Sequence, residues 1–250
     1  MALVSNARAA ACAAALAASA SLVCARADTP PVLTTYAGVQ ALVVVGQHQD
    51  IAGTQRGVGA GPLLQARVGG RRVALAIEGI PVVGIPGVKP SAAYGQATPS
   101  LGIFNGQLEY ALTEQRTLWL GLGETVYNQR TPLPAQDQVV SSRLAGLRYT
   151  ARYLHAFNAA HSLEAFLGAA PSLSGSDVYV ATGGGVVETK PERASEIDAS
   201  LAFVYSQHST QWLLGLRTVN FAAKFTNTGE AADRNVGIGP MIEWRHLFEH

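Results

Sequence analysis

The stretch VGIGPMIEWRHLF, residues 236–248, decides how the chain is read. Taken at every second residue, Val236, Ile238, Pro240, Ile242, Trp244 and Phe248 form an apolar row interrupted only by His246. Gly237, Gly239, Met241, Glu243 and Arg245 form the other row, small at one end and charged at the other. Successive side chains of a β-strand point to opposite faces, so this strand presents a lipid-like face and a water-like face.

The same period of two runs back through the sequence. It predicts strands near residues 36–46, 57–68, 72–79, 101–113, 117–128, 139–157, 162–170, 194–207 and 211–225 before the final one. Segment 139–157 is the clearest: Ala145, Leu147, Tyr149, Ala151 and Tyr153 alternate with Gly146, Arg148, Thr150 and Arg152. In 211–225 the apolar rows Trp212/Leu214/Leu216 and Phe221/Ala223/Phe225 fall on different parities, which predicts a bulge near 217–219 or a strand boundary other than the one drawn. Short turns, beginning with Gly69-Gly70, alternate with longer connections at 47–56, 80–99, 129–138, 171–193 and 226–235.

An even number of alternating strands with short turns at one end and long loops at the other predicts an all-β fold, a single antiparallel transmembrane β-barrel. The strand count is about ten, with eight or twelve as alternatives. Tyr110, Tyr153, Phe157, Tyr205, Trp212, Trp244 and Phe248 gather toward the short-turn end, as an interfacial girdle does. A soluble exported β-sandwich would also alternate. Its strands would be shorter than several of these, and it would not need charges of both signs in mid-strand.

The last strand resembles the C-terminal strand of bacterial outer-membrane β-barrel proteins. The resemblance implies a Gram-negative outer membrane, contact with its lipid and lipopolysaccharide, and Trp244 and Phe248 as the signal read by the assembly machinery. The family usually ends on the aromatic, whereas Glu249 and His250 follow it here. Residues Asp50-Ile-Ala-Gly-Thr-Gln-Arg56 and Gly61-Pro62-Leu63-Leu64 resemble the first hairpin of MipA/OmpV-type proteins, with Ile51-Ala52 where that family has an aromatic before the glycine. That family is associated with scaffolding of murein-synthesis enzymes, which implies a murein-associated partner.

The N-terminus fits export. Arg8 precedes an uncharged apolar run from Ala9 to Cys24, and Ala25-Arg26-Ala27 gives a cleavage pattern between small residues. The domain reading is therefore a signal peptide at 1–27 and a barrel domain at 28–250. The run is 16 residues long, short of the ~20 a membrane-spanning helix needs. Both cysteines, Cys12 and Cys24, lie within it. The remainder carries sixteen basic and seventeen acidic residues, so no basic excess points to nucleic acid.

Strand parity sends thirteen charged residues to the barrel interior: Arg67, Arg72, Glu78, Glu109, Arg148, Arg152, Glu164, Glu196, Asp198, Arg217, Lys224, Glu243 and Arg245. Their signs nearly balance. A narrow barrel is filled by its own side chains, and buried charges must pair. The expectation is a salt-bridged plug, with a charge-lined selective pore as the alternative. His48 and Asp50 form the one His/Asp pair in an outer connection and are the candidate catalytic residues. No segment matches the motifs of outer-membrane proteases or of lipid A deacylases and acyltransferases. Gly183-Gly184-Gly185 lacks the lysine and helix of a phosphate loop. No cofactor or metal is expected. The functional expectation is a non-enzymatic barrel, serving as an envelope structural element, a narrow passive channel or a surface-binding module. An outer-membrane hydrolase and a soluble periplasmic β protein are the alternatives.

Overall fold

The computed structural model describes residues 35–50, 53–70, 72–84, 100–133, 138–180, 186–225 and 233–248. The signal segment with Ala25 and Ala27, the Gly183-Gly184-Gly185 tip, and Glu249 and His250 lie outside these residues.

Twelve strands are formed: β1 (Thr35–Asp50), β2 (Gly53–Gly69), β3 (Val73–Gly84), β4 (Ser100–Ala111), β5 (Leu118–Leu133), β6 (Gln138–Ala156), β7 (His161–Ala170), β8 (Ser174–Val180), β9 (Val186–Thr189), β10 (Pro191–Gln207), β11 (Thr210–Phe225) and β12 (Asp233–Phe248). Ten of them close a ring, in the order β1-β2-β3-β4-β5-β6-β7-β10-β11-β12 and back to β1, every neighbour antiparallel. The ring closes through the register Thr35↔Phe248 to Gln49↔Arg234. Closure leaves no free edge, the condition for crossing a membrane as strands. No helix among the described residues is long and apolar enough to cross one.

The alternation predicts which way side chains point, and the structure agrees. Val39, Leu64, Leu75, Leu108, Leu122, Leu147, Leu201, Leu214 and Ile242 all stand outward and exposed. They belong to a set of 27 exposed large hydrophobic residues, too many and too contiguous for a face that meets water. Trp212 pairs with Trp244 and with Tyr205 near the short-turn end, and His161 lies between Phe203 and Tyr205 there, which completes an aromatic belt.

The structure corrects the sequence reading in three places. The expected loop 171–193 holds the β8–β9 hairpin, and β8 pairs with residues 139–145 of β6, beyond the end of β7. The expected connections 47–56 and 129–138 are largely strand, paired out to Asp50↔Gly53 and Leu133↔Gln138. Backbone ladders pair these extensions, and their sequences carry no hydrophobic alternation to mark them. Finally, β11 keeps one register with both neighbours from Thr210 to Ala223, so there is no bulge at 217–219. Phe221 and Ala223 change parity because they face inward.

Inside, two apolar layers sandwich the charges. Tyr36, Ala74, Ala111, Trp119 and Leu154 close the short-turn end. Ile103, Tyr127, Leu144, Leu173 and Phe221 close the other, with the Tyr127 and Phe221 rings stacked at 3.9 Å between centroids.

Candidate functional site in the barrel lumen

Eleven of the thirteen charged residues expected inside are there, on eight strands, and they form two clusters. The lower cluster begins with Arg67 on β2, whose Nε donates to Glu109 on β4 at 2.9 Å. Glu109 also meets Arg152 of β6 at 3.5 Å and accepts from Gln107 at 2.9 Å. Arg152 bonds Glu164 of β7. Glu164 in turn takes two hydrogen bonds from Arg245 of β12, at 2.7 and 3.0 Å, and Arg245 is also paired with Glu243. Aromatic faces lie against three of these guanidinium groups: Trp119 at 4.3 Å from Arg67, Tyr36 at 4.4 Å from Arg245 and Phe166 at 5.0 Å from Arg152. Such contacts stabilise a cation removed from water.

The upper cluster is a closed ring of polar groups. Arg217 of β11 donates to both oxygens of Glu78 on β3, at 2.5 and 3.0 Å, and to Asp198 of β10 at 2.6 Å. Asp198 accepts from Arg148 of β6 at 2.9 Å, and Arg148 reaches Glu196 at 3.5 Å. Thr125 Oγ1 lies 2.8 Å from Glu196 and 2.6 Å from Asn105, and Asn105 donates to Glu78 at 3.1 Å. Gln40 of β1 accepts a further bond from Arg217 at 3.2 Å. The ring therefore joins six strands across the lumen. Gly168 makes room for it: a Cβ there would collide with the Arg148 guanidinium and the Asp198 carboxylate.

Five arginines face six carboxylates in a space with little room for water. A gap that reaches both clusters, lined by Gln65, Glu78, Asn105, Gln107, Arg148 and Phe166, has room for about one water molecule. Charges of both signs paired this closely are the arrangement a salt-bridged plug requires.

Two expected lumen residues lie elsewhere. Arg72 is exposed in the bend between β2 and β3, where the turn projects past the barrel end. With no bulge in β11, Lys224 falls on the outward parity and pairs with Glu192 at 3.0 Å, both exposed. Gln40, Thr125, Trp119 and Phe166 were not singled out by charge. Phe166 shares a parity with Glu164 on β7, and that is the signal that finds it, whereas no charge on β5 shares the parity of Trp119 and Thr125 and no lumen charge lies on β1 beside Gln40. His48 and Asp50 sit at the outer end of β1, in register with Gln55 and Gly53, and their side chains lie outside the described residues. Trp244 and Phe248 are outward and exposed on β12. No group of His, Cys, Asp and Glu suited to a metal occurs among the described residues.

A closed ten-stranded antiparallel barrel, apolar outside and ionic within, is the architecture of Gram-negative outer-membrane β-barrels. A solved structure of that class aligns with it over most of both chains. The outer membrane protease OmpT of Escherichia coli aligns with a TM-score of 0.63 at 10% identity, over 88% of this chain and 98% of that one. The Pseudomonas putida toluene transporter TodX aligns with a TM-score of 0.37 at 9% identity, over 90% of this chain and 94% of that one. Neisserial surface protein A aligns with a TM-score of 0.38 at 12% identity, over 86% of this chain and 97% of that one. No protein-family profile matches the chain, and no curated protein does. What is shared with OmpT is the fold.

Proposed function

We propose that the protein is an outer-membrane barrel, exported through a cleaved signal peptide, that is closed to solutes and acts as an envelope structural or surface-binding element. The outward apolar belt supports the location. The single observation that carries the closed reading is the ring from Glu78 through Arg217, Asp198, Arg148, Glu196, Thr125 and Asn105, which spans the lumen between two apolar layers. Membrane lipid and lipopolysaccharide contact the belt, and the assembly machinery reads Trp244 and Phe248. A murein-associated partner would meet the short-turn end.

Purified full-length protein in planar bilayers tests this reading. The expected result is heat-modifiable migration on a gel with no conductance steps. Regular steps would overturn the closed reading, and release of the protein by osmotic shock would overturn the location.

A further inference from the structure

The two lumen clusters differ in their balance. The lower one sets Arg67, Arg152 and Arg245 against Glu109, Glu164 and Glu243, three charges of each sign. The upper one sets two cations, Arg148 and Arg217, against three acidic side chains, Glu78, Asp198 and Glu196. A carboxylate buried without a compensating charge is expensive, and such a group takes up a proton instead. The hydrogen bonds show which of the three it is. Both oxygens of Glu78 accept from Arg217, at 2.5 and 3.0 Å, and Oε1 also accepts from Asn105 Nδ2 at 3.1 Å. Both oxygens of Asp198 accept too, Oδ1 from Arg148 at 2.9 Å and Oδ2 from Arg217 at 2.6 Å. A hydrogen on any of these four oxygens would point at another hydrogen.

Glu196 is placed differently. Its Oε1 has Arg148 at 3.5 Å, the longest contact of the upper cluster, and its Oε2 lies 2.8 Å from Thr125 Oγ1. Thr125 Oγ1 also lies 2.6 Å from Asn105 Oδ1. A threonine hydroxyl has one hydrogen to donate, and here it has two oxygen neighbours. Asn105 cannot supply the second hydrogen by turning its amide over, because its Nδ2 already donates to the Glu78 carboxylate. Water does not supply it either, since Thr125, Asn105 and Glu196 are all buried. Both separations are those of O–H···O hydrogen bonds. Two such bonds need two hydrogens, and the remaining source is the carboxyl group of Glu196.

We infer that Glu196 holds a proton on Oε2 as a neutral acid in the folded barrel, and that this proton is the link that closes the upper ring across the lumen. Donation then runs in one direction, from Glu196 Oε2–H to Thr125 Oγ1, from Thr125 O–H to Asn105 Oδ1, and from Asn105 Nδ2–H to Glu78 Oε1. It joins β10, β5, β4 and β3 in series. With the proton in place the upper cluster is as balanced as the lower one, Arg148 and Arg217 against Glu78 and Asp198. Without it, Glu196 and Thr125 would bring two oxygens together with no hydrogen between them, beside a third carboxylate charge. The inference deepens the closed reading proposed above and rests on it for its consequence, while the proton itself is read separately.

Infrared spectroscopy of the full-length protein, refolded in phospholipid vesicles at neutral pH, tests it. A protonated carboxyl group has a C=O stretch apart from the carboxylate and amide bands. The expected result is such a band in the wild type and its loss in Glu196→Gln. A wild type without the band overturns the inference, and so does a band of unchanged intensity in Glu196→Gln. Glutamine also offers a hydrogen to Thr125, so Glu196→Gln keeps the wild-type urea midpoint. Glu109→Gln lowers the midpoint, because it takes a negative charge from both Arg67 and Arg152. An equal fall for the two variants overturns the proton. Thr125→Val gives an independent reading: it removes the oxygen that accepts the acid's hydrogen, so the band moves in frequency, and a band left in place overturns the link. Conductance steps from wild-type protein that shows the Glu196 band would overturn the closed reading and leave the proton standing.

Discussion

Arg217 on β11 and Glu78 on β3 meet across the lumen through two N–H···O contacts of 2.5 and 3.0 Å, although 139 residues separate them in sequence. Arg217→Ala leaves the largely buried Glu78 without its guanidinium and Asp198 with Arg148 alone. Breaking a buried pair by removing one partner costs about 3–5 kcal/mol, so the urea midpoint of the refolded protein falls sharply. Arg217→Lys recovers only part of the loss, because an ammonium group cannot reproduce the two-pronged contact.

The two charges that lie outside the lumen behave differently. Arg72→Ala and Lys224→Ala each change stability by less than about 0.5 kcal/mol, as exposed groups do. Measured in the same titration as Arg217→Ala, they separate the plug from the surface. A large loss for Lys224→Ala would contradict the outward parity of β11.

Gly168→Ala adds one methyl group where the Arg148 guanidinium and Asp198 carboxylate already fill the space. Overpacking of this kind costs about 1–3 kcal/mol. Gly168→Ala combined with Arg148→Ala relieves the crowding, so the two losses are not additive, and a double-mutant cycle in urea reads the coupling.

A charge on the outer wall distinguishes hydrocarbon from water. Phe104→Arg or Ile238→Arg, each six residues along its strand from the aromatic belt at Tyr110 or Trp244, costs about 2–4 kcal/mol in a bilayer. Folding into phospholipid vesicles gives the number, and a neutral result for both would show that water covers this face.

His48→Ala/Asp50→Ala addresses the one His/Asp pair of an outer connection. The expected outcome is no change in peptide or lipid A hydrolysis by membranes carrying the protein. A reproducible loss would give the barrel a catalytic role at its outer end.

Much of this was legible in the sequence because a strand wall has a strict period of two. Arg148 and Arg152 against Leu147 and Tyr149 reveal both faces of β6 without further information. Parity fails where the environment of a face changes along one strand. Phe221 faces the lumen, where the charged middle needs an apolar lid, and its hydrophobicity imitates the lipid side. Lys224 stands beyond the apolar band, where an outward cation meets water. The β8–β9 hairpin is held by pairing with β6, a long-range ladder that leaves no local pattern.

The ladder between β1 and β12 joins the first and last strands of the barrel, with Thr35 beside Phe248. Every other wall ladder can form between strands nearer in the chain, whereas this one requires almost the whole polypeptide to be in place. Contacts this remote in sequence make folding slow, because the entropy of closing the loop is lost before the contact rewards it. Unaided folding is therefore limited by the joining of the two chain ends, and a catalyst that holds β12 while β1 approaches would shorten the time for which the unsatisfied edges remain open.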